Sequence, residues 1–356
     1  GVTGFSRINR RMHNKSFTVD NQITVIGGRN IADEYFGARE DAKFSDLDVI
    51  GVGPVVKDVS TMFDTYWNHE TAVPVPAFVD TSDDAAGLEQ VRRSFSSFRE
   101  DIKASPYADA LRRQVLKLNE SKSGTFEWAP YTLVYDSPDK GIKRRTDTAQ
   151  SIVTPLAETF RSAEQEVIVI SPYLGPRKTG IKGFTRMRER GVNVTIVTNS
   201  LAANNQFTVH GGYAPSRKPL LEKGVRIYEA RPDAEVAGAE LIASVGATAT
   251  LHTKAFVVDD REIFIGSFNF DPRSAYINTE SGVIIRSPAM AERIAKAIDA
   301  ALPQDTYELF LTDKGKLRWR ERREGQDFIW DHEPETTWSQ RFIAGFMRLM
   351  PIRGQL

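Results

Sequence analysis

Apolar and polar positions follow one another in the same order along two stretches of the chain. From His13 to Asn30 and from His252 to Asn269 the patterns superpose without a gap, and eight of eighteen residues are identical: His, Lys, Phe, Val, Asp, Ile, Gly and Asn. In the first stretch His13, Lys15 and Phe17 alternate with Asn14, Ser16 and Thr18. That period of two predicts a strand with His13 and Lys15 on one face. Asp20-Asn21 predicts a turn, Ile23–Ile26 the returning strand, and Gly27-Gly28 its end. The copy at His252 predicts a matching pair of strands.

The rest of the pattern places these copies in an α/β fold. Asp46–Val52 predicts a strand with acidic residues at its mouth, and Val59–Trp67 and Leu88–Phe98 carry helical spacing on either side of a loop at Thr71–Ala77. Tyr131–Tyr135 predicts another strand. From Thr148 helices at Ile152–Ala163, Gly180–Arg190 and Arg217–Lys223 alternate with buried strands at Glu166–Ser171, Val192–Thr198 and Val225–Tyr228. That is a βαβ series leading into the second copy. Pro288–Leu302 predicts an amphipathic helix, and Tyr307–Leu311 with Lys316–Arg320 a hairpin. A long βαβ run precedes His252, whereas twelve residues precede His13. The chain therefore reads as two lobes, 1–145 and 146–356, the first lacking its leading strands and helices in an N-terminally truncated record.

The repeated polar residues suit one chemistry. A His and a Lys two apart aim an imidazole and a fixed positive charge at one point. Asn30 and Asn269 end the returning strands as amide donors, with Ser267 nearby. Lys, Asn and Ser match the non-bridging oxygens of a phosphate, leaving the His to face phosphorus. Two such sets meeting at an interface would let one His attack in line while the other protonates the leaving oxygen. A single His-x-Lys is more often a solvated strand edge; two gapless copies point to a site. Asp20 and Asp259 belong to the candidate catalytic set, with a structural part as braces of the turn or of the Lys. Carboxylates to orient the imidazoles are expected further on: Glu280 at the entry of one strand, and Asp46, with Asp48 as its rival, at another. Two lysines supply the charge, so neither metal nor other cofactor is required.

Composition narrows the classes. Charged residues make up 26% and the formal net charge is zero, so no global field recruits nucleic acid. With no cysteines, thiolate chemistry and disulfides are excluded. No apolar run approaches the roughly 18 residues of a membrane span, and no signal peptide is visible.

The pair of motifs resembles the HKD motifs of the phospholipase D superfamily. Gly27-Gly28-Arg29-Asn30, Phe44–Val49, Thr198–Ala203, His210–Tyr213 and Asp271–Ser274 are similar to bacterial cardiolipin synthases of the C type, and the likeness runs on to Leu349–Ile352. The resemblance implies two α/β/α lobes about a pseudo-twofold axis and ping-pong chemistry through a phosphatidyl-histidine. By that analogy His13 is the nucleophile and His252 the general acid, then base, with Lys15, Lys254, Asn30 and Asn269 on the phosphate. The residues themselves leave the two histidines interchangeable. The implied reaction moves a phosphatidyl group from a donor lipid, phosphatidylethanolamine in some members, to phosphatidylglycerol. It implies a peripheral protein on the cytoplasmic side of the bacterial inner membrane. The alternatives are hydrolysis to phosphatidic acid by a phospholipase D or phosphodiesterase, and an inactive lipid-binding fragment.

Several other residues carry open readings. His210, placed in a loop, would touch a lipid headgroup or pack the loop, and Arg29 would add charge near the phosphate. Ser200 and Tyr173, at the ends of buried strands, would contact ligand or cap loops. His69 and His332 are expected to be structural or exposed. The tail Trp338–Leu349 puts Phe342, Ile343, Phe346 and Leu349 on one helical face, which suits a bilayer surface or ordinary core packing.

Overall fold

The computed structural model describes residues 10–36, 44–78, 85–103, 108, 126–142, 151–204, 207–232 and 250–347. It divides into two compact units, one of Gly1–Phe63 with Ala129–Leu356 and one of Asp64–Trp128. In chain order the strands are β1 Ser16–Val19, β2 Ile23–Gly27, β3 Phe44–Ser45, β4 Asp48–Val52, β5 Tyr131–Tyr135, β6 Glu166–Ile170, β7 Asn193–Asn199 and β8 Arg226–Ala230. They continue as β9 Thr250–Leu251, β10 Ala255–Val258, β11 Glu262–Gly266, β12 Ser281–Ile285, β13 Thr306–Leu311, β14 Leu317–Arg323 and β15 Gln326–Trp330. The helices are α1 Pro54–Trp67, α2 Ala85–Lys103, α3 Val153–Arg161, α4 Arg177–Glu189, α5 Phe207–Tyr213, α6 Arg217–Glu222, α7 Pro272–Tyr276, α8 Pro288–Asp305 and α9 Trp338–Met347.

Among the described residues the larger unit holds a ten-stranded sheet in the order β15-β14-β13-β8-β7-β6-β10-β11-β12-β5. Only β6-β7 and β7-β8 run parallel, as their helical crossovers require. The second motif forms the central hairpin β10-β11, whose side chains are almost all buried. Val167, Val169, Val194, Ile196, Phe256 and Phe264 belong to one core cluster. The Phe256 and Phe264 rings stack with centroids 4.5 Å apart. The first motif forms the hairpin β1-β2, which joins β4 in a separate antiparallel sheet. The two copies thus sit unequally: β10 is buried along its length, whereas three of the four residues of β1 are exposed.

Both hairpins turn on two residues of positive φ, Asp20 and Asn21 at 50° and 52°, Asp259 and Asp260 at 54° and 47°. That geometry matches the twist of the flanking strands and favours Asp and Asn over bulkier residues. The aspartate shared by the two motifs is therefore a turn former. Asp259 also accepts hydrogen bonds from the backbone N–H groups of Glu164, Gln165 and Glu166, tying the turn to the start of β6. Those bonds pull its carboxyl below the usual range despite its burial. These contacts fit the structural part expected of Asp259, as a brace of its turn, and Asp20 takes the matching place in the first turn.

Three expectations change. His13-x-Lys15 and His252-x-Lys254 lie in extended segments just before β1 and β10, not within the strands. Their backbones are committed elsewhere: the His13 N–H donates to Thr279 O at 3.0 Å and the His252 N–H to Ser45 O at 2.8 Å. Phe207–Tyr213 is a helix, not a loop. The hairpin β13-β14 gains a third strand, β15, whose residues lack the apolar alternation that marks the other two. In the smaller unit α2 exposes Leu88, Val91, Phe95 and Phe98 along one face.

Candidate active site

Two parallel contacts bring the site together. Phe44–Ser45 pairs with Thr250–Leu251, and Met12 bridges Thr279. Each pairing lays the chain entering one motif beside the chain entering the other half's carboxylate. The result is an exchange. Asp46 Oδ2 lies 2.6 Å from His252 Nδ1, and Glu280 Oε2 lies 2.8 Å from His13 Nδ1. A carboxylate on Nδ1 fixes the tautomer and leaves Nε2 as the reacting nitrogen.

Each carboxylate is braced in turn. Ser267 Oγ donates to Glu280 Oε2 at 2.5 Å, and the Glu280 N–H donates to Asp136 Oδ2 at 2.9 Å. A serine has one O–H, so Ser267 supports Glu280 and has no donor left for a phosphate. Burial alone would raise Glu280, but its bonds to His13 and Ser267 bring it below the usual range. Gly28 makes room for Asp46: a Cβ there would stand 2.5 Å from Asp46 Oδ1. Asp48, the rival to Asp46, instead takes Arg29 Nε at 2.6 Å. Arg29 also donates to the carbonyls of Tyr35 and Asp46, so it is a brace of the loop.

The lysines stand over their own histidines. Lys15 Nζ donates to His13 O at 2.8 Å. Lys254 Nζ donates to His252 O and lies 2.9 Å from Nδ1 and 3.2 Å from Nε2 of that ring. Burial brings both lysines down to about 8, against the pull of Glu280 and Asp46. Burial and the adjacent Lys254 charge bring His252 down to about 4, so its neutral form prevails at pH 7. The site is thus desolvated, with two lysines set against two carboxylates, and in so little water each lysine acts strongly on an entering anion.

Asn30 and Asn269 end the two returning segments. Asn269 is buried, and Asn30 Nδ2 donates to the Tyr35 hydroxyl at 2.8 Å. Tyr35, on a short 3-10 turn, was not marked by the sequence pattern. Its aromatic character five residues beyond Asn30 is the one local signal, and the matching position after Asn269 is Ser274. Tyr173 does reach the site, its ring meeting His252 edge-on at 6.4 Å. Ser200 caps its own loop by accepting from the Ala203 N–H.

His210 lies elsewhere. It is buried beside Arg217, whose guanidinium reaches His210 Nε2 at 3.0 Å, Glu229 at 2.7 Å and Glu333 at 2.5 Å. This cluster fastens the segment before α9 to α5 and α6, and it replaces any headgroup role for His210. His69 is half-buried and His332 exposed, and they bond to Thr71 and Asp331 beside them.

Two crossed His–carboxylate pairs flanked by lysines on an α/β scaffold define a two-histidine phosphodiester-exchange site of the phospholipase D kind. Residues 156–302 match the family model described as "Cardiolipin synthase, PLD-like domain". The chain is 38% identical to cardiolipin synthase C of Escherichia coli K12, covering 99% of this chain and 74% of that protein. It is 31% identical to an uncharacterized protein of Helicobacter pylori strain J99, over 99% of this chain and 69% of the other. In fold it resembles the crystal structure of phosphatidylserine synthase from Haemophilus influenzae, with a TM-score of 0.58 at 15% identity over 97% of this chain and 70% of that one. The chain belongs to the phospholipase D superfamily, in its family of bacterial C-type cardiolipin synthases.

Proposed function

We propose that this chain is a phosphatidyltransferase that forms cardiolipin from phosphatidylglycerol and a donor phospholipid through a phosphohistidine. The observation that carries the reading is the crossed pairing of His13 with Glu280 and of His252 with Asp46. It leaves two Nε2 atoms and two lysines available to one phosphodiester. In the first step His13 Nε2 bonds to phosphorus. The ester bond to the departing alcohol breaks, and that oxygen takes a proton from His252 Nε2. In the second step the hydroxyl of phosphatidylglycerol gives its proton to His252 Nε2 and attacks phosphorus, and the P–N bond breaks. Lys15, Lys254, Asn30 and Asn269 hold the non-bridging oxygens. Because His252 is neutral in the empty site, its proton is taken up as the anionic diester enters and offsets the lysine charges.

The substrates place the chain at a bilayer. Among the described residues no helix is long and apolar enough to cross a membrane. We place it on the cytoplasmic side of the inner membrane by analogy with the family, and two apolar surfaces support the peripheral attachment itself. Helix α9 packs on α5 through one side and exposes Trp338, Phe342, Ile343 and Phe346; Leu349, expected on the same stripe, lies outside the described residues. The exposed apolar face of α2 is the other. The lobes 1–145 and 146–356 remain our reading of the duplication, with β5 of the first part of the chain completing the sheet edge beside β12.

Lipid analysis of cells making the protein tests the proposal. New cardiolipin that disappears with His13→Ala and with His252→Ala is the expected result. Phosphatidic acid in its place would replace the transferase by a hydrolase. Radiolabelled lipid trapped on His252 rather than His13 would reverse the two roles.

A further inference from the structure

The Tyr35 hydroxyl and Lys254 Nζ both approach the atom on which the proposed chemistry depends, and only the hydroxyl also ties that atom to Asn30. The hydroxyl lies 3.3 Å from His252 Nε2 and accepts from Asn30 Nδ2 at 2.8 Å. His252 Nδ1 faces Asp46, so Nδ1 carries the proton and Nε2 is the acceptor. The phenol is then the donor, and burial, which pushes it up to about 12, keeps its proton in place. The ring is held as well. Tyr35 stacks on Phe44 with centroids 4.8 Å apart, and both rings meet the imidazole at steep angles, at 5.0 Å and 5.5 Å. With Tyr173 at 6.4 Å, aromatic rings from three parts of the chain surround His252.

We propose that Tyr35 is an exchangeable plug that selects a lipid alcohol over water as the acceptor. This rests on the transferase reading above. In the empty site the phenol bonds Asn30 and shares His252 Nε2 with Lys254 Nζ, which lies 3.2 Å from it. An entering phosphodiester takes both partners at once, Asn30 by a non-bridging oxygen and Nε2 by the ester oxygen. When the first alcohol leaves, the phosphohistidine remains and the phenol returns to Nε2. It then stands where a water would have to sit to be activated. A lipid hydroxyl arrives with the binding energy of its own phosphate and chains and displaces the plug, whereas a water brings none. The acceptor proton still passes to His252 Nε2; Tyr35 transfers none. The repeat supports a one-sided device: the counterpart of Tyr35 is Ser274, whose Oγ instead accepts from the Asn269 N–H.

The test is the partition between cardiolipin and phosphatidic acid made by the full chain on phosphatidylglycerol vesicles. Tyr35→Phe keeps the stacking surface and removes the O–H. It is expected to raise the phosphatidic acid share about fivefold or more while cardiolipin is still made. In the same variant the nitrogen NMR signal of His252 Nε2 should move, because its contact with the phenol is gone and that with Lys254 alone remains. A moved signal with an unchanged partition would overturn the plug, as would equal loss of both products. Should the variant not fold, the wild type decides. Its phosphohistidine, isolated by rapid removal of lipid, is expected to outlive one turnover by about tenfold. Hydrolysis as fast as turnover would overturn the plug. Wild-type enzyme that makes only phosphatidic acid would instead overturn the transferase reading itself.

Discussion

Asp46 and His252 are separated by 206 residues, and their side chains meet at 2.6 Å. Glu280 and His13, at 2.8 Å, repeat the arrangement in the opposite sense. Each histidine depends on a carboxylate from the other half of the site. Asp46→Asn keeps the shape and removes the charge, so kcat for cardiolipin formation is expected to fall about 10²-fold or more. A variant at full rate would dismiss Asp46 as an orienting group.

Lys15 and Lys254 carry their proton weakly, both brought down to about 8 by burial. They bind an anion only as cations. kcat/KM is therefore expected to fall as pH rises through about 8, well below the range of an ordinary lysine. The linkage runs the other way for folding. A lysine lowered in the fold contributes least to stability below its folded value, and its contribution grows as pH climbs from about 8 toward the unfolded value of 10.5. A rate profile flat to pH 10 would contradict the burial of these two groups.

Gly28 offers a test that removes no functional group. Its added Cβ would stand 2.5 Å from Asp46 Oδ1. Gly28→Ala is expected to displace that carboxylate and lower kcat about tenfold. The melting temperature should shift little, since the neighbour that must move is a side-chain end. Unchanged kcat would mean that Asp46 has room to spare.

Arg217 should matter for stability and not for chemistry. Buried among Glu229, Glu333 and His210, it holds Glu333 well below the usual carboxylate range. Arg217→Leu leaves buried acids unpaired and should cost about 3–5 kcal/mol in denaturant unfolding. A loss under about 1 kcal/mol would show that the cluster tolerates the missing charge.

The exposed apolar residues of α9 make the membrane reading testable. Phe342→Ser with Phe346→Ser should reduce flotation with phosphatidylglycerol vesicles and spare turnover of detergent-dispersed lipid. Equal flotation of the double variant and the wild type would remove α9 from the membrane contact.

Much of this was legible in the chain itself. The βαβ run and both hairpins followed from apolar period, and the site's histidines and lysines from the repeat. The carboxylates Asp46 and Glu280 could be named from their place before strands, but not their exchange. That depends on β3 pairing with β9 and on Met12 meeting Thr279, contacts between distant segments that local pattern does not encode. For Ser267, a hydroxyl near a phosphate and a hydroxyl bracing a carboxylate look alike in sequence, and the contact with Glu280 depends on a strand that follows later in the chain. His210 was misplaced because Gly211-Gly212 reads as loop, whereas the Arg217 cluster holds a helical turn there. Tyr35 stayed hidden because it has no twin in the second copy.

The exchange of carboxylates also bears on when the protein becomes reactive. During synthesis the first motif is complete long before Glu280 leaves the ribosome, and a His13 without Glu280 lacks the group that orients it. Asp46 likewise waits for His252. A half-made chain thus carries neither oriented pair, and the site exists only once both halves of the chain are present.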